Sequence, residues 1–144
     1  MQTEIKKQNI KESKLPTAVI YCEGNFSHID GKTANGLIRC SKSYRIVSVI
    51  DSTKEGLDSG IILDNTINHI PIYQDLEKAV TFEKHIPDTF IYGLAPTNGK
   101  FSIIDRKVVL QAIELGMNIV SGLHEYLSDD SEIVKAAKLK NIKI

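Results

Sequence analysis

The stretch that decides the fold is "TAVIYCEGNFSHIDGKTANGLIRC", Thr17–Cys40. It opens on five residues rich in strand formers and passes through a loop bearing Gly24 and Gly31. It closes on a segment that places Ala34, Leu37 and Ile38 on one helical face. The same loop raises a chemical question, because Gly31-Lys32-Thr33 is how a phosphate-binding P-loop ends. A complete P-loop puts four residues between its first glycine and that tripeptide. Here the required position holds Phe26, and the nearest upstream glycine, Gly24, leaves six intervening residues. The loop works by wrapping successive N–H groups around phosphate oxygens over a fixed length. We therefore expect a turn at Asp30-Gly31, a helix starting at Lys32-Thr33, and no ATP or GTP hydrolysis.

The alternation continues outward from this unit. "RIVSVI" (45–50) reads as a second strand, "HIPIY" as a third and "QDLEKAVTFEK" as a helix. "DTFIYGLAP" holds a fourth strand near Thr89–Tyr92, and "SIIDRKVVLQAIELG" is the clearest helix. Ser102 and Asp105 resemble a capping box with Asp in place of Glu, and Gly116 suits the position after the helix end. "MNIVSG" reads as a fifth strand, "DDSEIVKAAKLKN" as a helix capped by Asp129 or Asp130, and "IKI" as a last strand. Strands that are apolar throughout are buried on both faces, and their alternation with helices implies parallel βαβ units. The expected fold is a single α/β domain, Rossmann-like and doubly wound, over residues 15–144, preceded by a polar, lysine-rich arm at 1–14.

Composition narrows the function classes. A chain of 144 residues with 42% hydrophobic and 25% charged residues has room for one core and one domain. Eighteen basic and eighteen acidic residues cancel, which removes the electrostatic case for a nucleic-acid or membrane-surface partner. No apolar run approaches a membrane span and no signal peptide opens the sequence. Cys22 and Cys40 stand in no metal or redox spacing, so free thiols in a cytoplasmic protein are expected.

In doubly wound sheets, ligands bind beyond the carboxyl ends of the strands, where strand order reverses. Those ends are "CEGN", "DSTKEG", "GLAPTNG" and "SGLHEY". Candidate ligand-binding residues are accordingly Glu23, Gly24, Asn25, Gly31, Lys32, Thr33, Asp51, Ser52, Pro96, Asn98, His124 and Glu125. Lys32 and Thr33 sit at a helix N-terminus, which favours anions; the alternative there is a plain structural turn. Asp51 lies about 20 positions after Gly31, where a dinucleotide-binding sheet carries a ribose-binding acid; the alternative is a turn residue. The loop holding Pro96 and Asn98 either faces ligand or simply leads into the long helix. His124 beside Glu125 is a possible acid–base pair, although neighbours in an extended segment point opposite ways. No metal site is expected.

Taken together, "VIYCEGNFSHIDGKTANGLIR", "SVIDSTKEGLDSG", "IPIYQDLEKAV", "FIYGLAPTNG" and "GMNIVSGLHEYLSDD" carry a resemblance that runs from about Pro16 to Ile144. They closely resemble the N-terminal domain of a bacterial and archaeal domain-of-unknown-function family, some members of which are D-glutamate N-acetyltransferases. The resemblance implies two-domain proteins in which a Rossmann-like domain precedes a larger C-terminal domain with a genuine P-loop. It also implies that Gly31-Lys32-Thr33 is not the family's phosphate loop. The chain is then either a truncation or a stand-alone version, with the P-loop domain or a separate equivalent as partner. "IPIYQDLEKAV" and "GMNIVSGLHEYL" are similar to the CoA-binding Rossmann domains of acyl-CoA synthetases, a fold-level likeness. The expected function is an accessory or ligand-binding domain taking a small anionic ligand: an acidic amino acid, a nucleotide or CoA. The rivals are an NAD-dependent oxidoreductase, which the missing G-x-G-x-x-G opposes, and a structural domain that drives homo-oligomerisation.

Overall fold

The computed structural model describes residues 15–94, 101–121 and 127–144. The expected arm at 1–14 lies outside them, as do Pro96, Asn98, His124 and Glu125.

Five strands form one sheet: β1 (Thr17–Tyr21), β2 (Arg45–Ile50), β3 (Ile72–Tyr73), β4 (Thr89–Tyr92) and β5 (Asn118–Ser121). Their spatial order is β3-β2-β1-β4-β5, and every pairing is parallel. Among the described residues five helices connect and flank them: α1 (Lys32–Cys40), α2 (Ser59–Asp64), α3 (Leu76–Glu83), α4 (Ile103–Glu114) and α5 (Ser131–Lys140). The fold is the Rossmann-like α/β arrangement that the apolar strands implied. Short 3-10 turns at Ile29–Gly31, Ser52–Lys54 and Leu127–Asp129 lie at loop ends.

Alternate side chains of each strand feed two separate cores, as the period of two requires. Val19, Tyr21, Phe90, Tyr92 and Ile119 face α3, α4 and α5 and meet Leu76, Val109, Ala112 and Ile133. Ala18, Ile20, Val49 and Ile91 face α1 and α2 and meet Phe26, Ala34, Leu37, Ile38, Ile62 and Leu63. β1 is buried at all five positions, which its central place in the sheet demands.

The helix starts follow capping chemistry. Ser102 accepts a hydrogen bond from the Asp105 N–H, so that half of the expected capping box forms. Asp130 caps α5 by accepting from the Glu132 and Ile133 N–H groups, and Gly116 follows α4 at φ +84°. The sequence reading missed α2, a six-residue helix capped by Asp58, which accepts from Gly60 and Ile61. The expected last strand at "IKI" is replaced by a tail that touches β5 at two points. The Ile119 N–H donates to the Lys143 carbonyl, and the Lys143 N–H donates to Asn118 Oδ1. Two contacts at one place do not make a ladder. No helix among the described residues is long and apolar enough to cross a membrane.

Candidate functional site

Strand order reverses between β1 and β4, because β1 continues to β2 on one side while β4 continues to β5 on the other. In doubly wound sheets such a reversal leaves a crevice at the carboxyl ends of the two strands. A cleft of about 300 Å³ lies there. Its polar lining is Glu23 and Asn25 after β1, Asp30 from the first 3-10 turn, and Ser102 and Asp105 at the start of α4. Tyr21 and Tyr92 close it below, and Leu94 and Ile104 flank it. A neighbouring cavity of about 330 Å³ shares Tyr21, Glu23 and Ile104 and extends past Ser52 toward Gln74 and Gln111. A larger cavity, about 490 Å³, sits near Pro16, Tyr44, Thr89 and Asn118 at the amino ends of the strands. Size alone favours the last; topology favours the cleft, where loops are free to vary without disturbing the sheet.

The loop between β1 and α1 is held by Asp51. This side chain is fully buried and accepts hydrogen bonds from the Gly24 N–H at 3.1 Å, the Phe26 N–H at 3.1 Å and the Thr53 N–H at 2.9 Å. The Thr53 hydroxyl adds a bond at 2.6 Å, and Lys54 Nζ stands 3.6 Å away. Burial pushes the carboxyl pKa up, but the bonds from Thr53, Phe26 and Gly24 outweigh it and hold Asp51 below the usual carboxylate range. The expectation that Asp51 meets ribose hydroxyls is redirected by this geometry. Both oxygens are occupied by the chain's own donors and neither reaches the cleft.

The expected anion site at Gly31-Lys32-Thr33 is redirected for a related reason. A phosphate cradle needs outward-pointing N–H groups. Here the Gly24 and Phe26 groups bind Asp51, Asn25 binds the Cys22 carbonyl, and Ser27 binds Asn35 Oδ1. The His28, Gly31 and Lys32 N–H groups bind the Asn25, His28 and Ile29 carbonyls. Asp51 is the internal anion of this loop. Gly31 is needed for space, since a Cβ there would lie 2.3 Å from the Asn25 carbonyl oxygen and 2.9 Å from Cys22 Sγ. Lys32 and Thr33 are exposed and line neither cavity.

Of the expected residues, Glu23 and Asn25 come together at the cleft. Glu23 accepts from the Ser52 N–H at 3.0 Å and from the Ser52 hydroxyl, and Asn25 Nδ2 donates to the Glu23 carbonyl at 3.0 Å. Ser52 lies in the adjoining cavity. Pro96, Asn98, His124 and Glu125 lie outside the described residues.

The sequence reading missed the cleft floor. Tyr21 and Tyr92 end adjacent strands in register, lie on the same sheet face, and stack with ring centroids 5.8 Å apart. Both hydroxyls donate to Asp105: Tyr21 to Oδ1 at 2.9 Å and Tyr92 to Oδ2 at 2.6 Å. Burial, then the bond to Asp105 and its charge, push both hydroxyls well above the usual phenol range, so they remain donors. Asp105 is the third residue of α4, where the helix dipole favours a carboxylate. The available signal was the shared ending of "TAVIY" and "TFIY", whose last residues pair in a parallel sheet.

Three carboxylates and no basic side chain line the cleft among the described residues. The arrangement suits a ligand that presents an ammonium or hydroxyl group, and it repels phosphate.

The family described as a domain of unknown function, DUF1611_N, a Rossmann-like domain, matches residues 52–144. The chain belongs to this family. Two curated relatives are D-glutamate N-acetyltransferases. One, from Pseudoalteromonas sp, is 39% identical over 59 residues, covering 39% of this chain and 17% of its own. The other, from Tritonibacter scottomollicae, is 38% identical over 50 residues, covering 35% of this chain and 15% of its own. Among solved structures, a DUF1611 family protein from Anabaena variabilis superposes with a TM-score of 0.74 at 26% identity. That match covers 84% of this chain and 33% of the solved one. A dehydrogenase from Chromobacterium violaceum, at TM-score 0.57 and 16% identity over 89% of this chain and 34% of that one, shares the fold. The chain thus spans about a third of the solved relatives and a smaller part of the curated ones.

Proposed function

We propose that this domain is the ligand-holding part of a D-glutamate N-acetyltransferase-like protein, and that its cleft takes an acidic amino acid by the ammonium end. The observation that carries the reading is the chemistry of the switch-point cleft. Glu23, Asp30 and Asp105 line a concave space of about 300 Å³, with no basic side chain among its described lining residues. That volume lies at the small end of ligand sites. An ammonium group gains from such a wall, and on this reading both carboxylates of the same ligand must face the open mouth of the cleft. A nucleotide or CoA would have to bring phosphates against the carboxylates, and the loop's Gly24 and Phe26 N–H groups are directed to Asp51 instead. Both cofactor expectations therefore rank behind the amino acid. The names of the two curated relatives agree with an acidic amino acid as ligand class.

Thermal-shift measurements on the purified chain test this. D-Glutamate at about 100 times its Kd stabilises by roughly 2.7 kcal/mol, a shift of several degrees for a domain of this size. N-acetyl-D-glutamate, which lacks the ammonium, and ATP and CoA, which lead with phosphate, give no shift. Stabilisation by CoA or ATP without stabilisation by D-glutamate overturns the reading.

A second reading has one observation in its favour. Ile29, Ile103 and Ile104, which lie on the turn and the helix start that border the cleft, are 80%, 78% and 69% exposed. Exposed apolar side chains gathered at one place suit a surface covered by a further domain or another copy of this chain. Sedimentation of the chain alone, beside an Ile103→Ser variant, tests it: a dimer that the variant dissociates supports oligomerisation, and a monomer in both removes the second copy.

A further inference from the structure

The three carboxylates of the cleft are not equivalent. Glu23 is held through both oxygens by a single exposed turn residue, Ser52. Asp30 belongs to the 3-10 turn at the mouth of the loop. Asp105 differs in being fixed from below by two side chains that are each only 2% exposed. Tyr21 and Tyr92 take one oxygen each, at 2.9 and 2.6 Å. Two hydroxyl donors fix the carboxylate's plane and leave each oxygen a further lone pair. The backbone of Asp105 is fixed too, because its N–H is held by Ser102 Oγ at 3.0 Å. A group locked in both backbone and side chain loses little freedom when it accepts a ligand, which is the condition for discrimination.

Resting on the amino-acid reading above, we infer that Asp105 is the ammonium-recognising residue of the cleft and that Tyr21 and Tyr92 are its positioning residues. The two tyrosines reach the ligand only through Asp105. Their part in specificity is to keep its carboxylate oriented and aimed into the cleft. The same contacts make them reporters. An ammonium drawing on the Asp105 oxygens weakens their acceptance of the tyrosine hydroxyls and alters the tyrosine environment. The chain has five tyrosines and no tryptophan, so its intrinsic emission is tyrosine emission.

The test is a titration of the purified chain followed by tyrosine emission, with D-glutamate, D-alanine and N-acetyl-D-glutamate as probes. The expected result is a saturable change with D-glutamate and none with N-acetyl-D-glutamate. Asp105→Asn, still folded by circular dichroism, should bind D-glutamate about ten-fold more weakly or worse, as expected for loss of a charge-assisted bond. Tyr92→Phe keeps the Asp105 charge and should weaken binding less while removing much of the emission change. A wild-type response retained in full by Asp105→Asn overturns the role of Asp105 and leaves the amino-acid reading standing. A response to D-alanine but not D-glutamate, lost in Asp105→Asn, supports Asp105 and overturns the acidic-amino-acid reading. No response to any amine overturns both. If Asp105→Asn does not fold, a Tyr21→Phe, Tyr92→Phe double variant that binds as well as the parent overturns the positioning claim.

Discussion

Replacing Asp51 by Ala removes the acceptor of three backbone N–H groups and one hydroxyl at once. The Phe26 N–H is buried and loses its partner in a place water does not reach, at about 2 kcal/mol; the part-buried Gly24 and Thr53 groups recover some hydration and cost about 1 kcal/mol each. The sum, about 4 kcal/mol, is a large share of the 5–15 kcal/mol typical of a domain. It corresponds to a fall in Tm of roughly 10–15 °C for a chain this long. Asp51→Asn keeps one carbonyl acceptor and should lose roughly half as much. The acid dependence supplies a second arm. The folded pKa of Asp51 is lowered from the ordinary value of 3.8. Its contribution is therefore present above the unfolded value and disappears as pH falls through the folded one. The parent should lose stability below about pH 4 more steeply than Asp51→Asn. Urea unfolding followed by circular dichroism at several pH values measures both. A loss below about 1 kcal/mol for Asp51→Ala, or parallel acid profiles, would refute the claim that Asp51 organises this loop.

Further expectations concern sites elsewhere. Gly31→Ala places a Cβ 2.3 Å from the Asn25 carbonyl oxygen, and should cost about 1–3 kcal/mol or more in the same unfolding assay. Ser48 Oγ is buried with no hydrogen-bond partner among the described residues, so Ser48→Ala should be neutral or stabilising by up to about 1 kcal/mol. Burial and then the Asp51 charge push the Cys22 thiol up to about 12, and Cys22 is fully buried while Cys40 is exposed. A disulfide-exchange reagent at neutral pH should thus titrate one thiol quickly, and the second only on unfolding. We expect no phosphate release from ATP by the parent and therefore no change in Lys32→Ala; phosphate release that the variant abolishes would reverse this.

The fold was legible because its strongest signals are local. "TAVIY", "RIVSVI", "TFIY" and "NIVS" are each compact apolar runs between turn residues, and strand boundaries at Thr17, Arg45 and Thr89 follow directly. The α2 helix was not legible, since six residues after Asp58 give too short a period to separate from a loop. The cleft was half legible. Topology sends Glu23 and Asn25 to the right edge, and any parallel sheet would. What topology does not give is side-chain direction. Asp51 ends its strand beside the loop and turns inward because three N–H groups there need an acceptor. The Asp105 contact joins residues 84 positions apart to Tyr21 and 13 apart to Tyr92, and no local pattern announces it.

The central claim is that ligand binds at the β1–β4 switch point through its ammonium. Backbone amide chemical-shift mapping of the labelled chain with D-glutamate tests this most directly. The expected shifts cluster on Glu23, Asn25, Asp30, Tyr92, Ser102 and Asp105, and N-acetyl-D-glutamate leaves those signals in place. Shifts gathered instead on Tyr44, Thr89 and Asn118, around the cavity at the amino ends of the strands, would contradict it, as would equal shifts from both ligands.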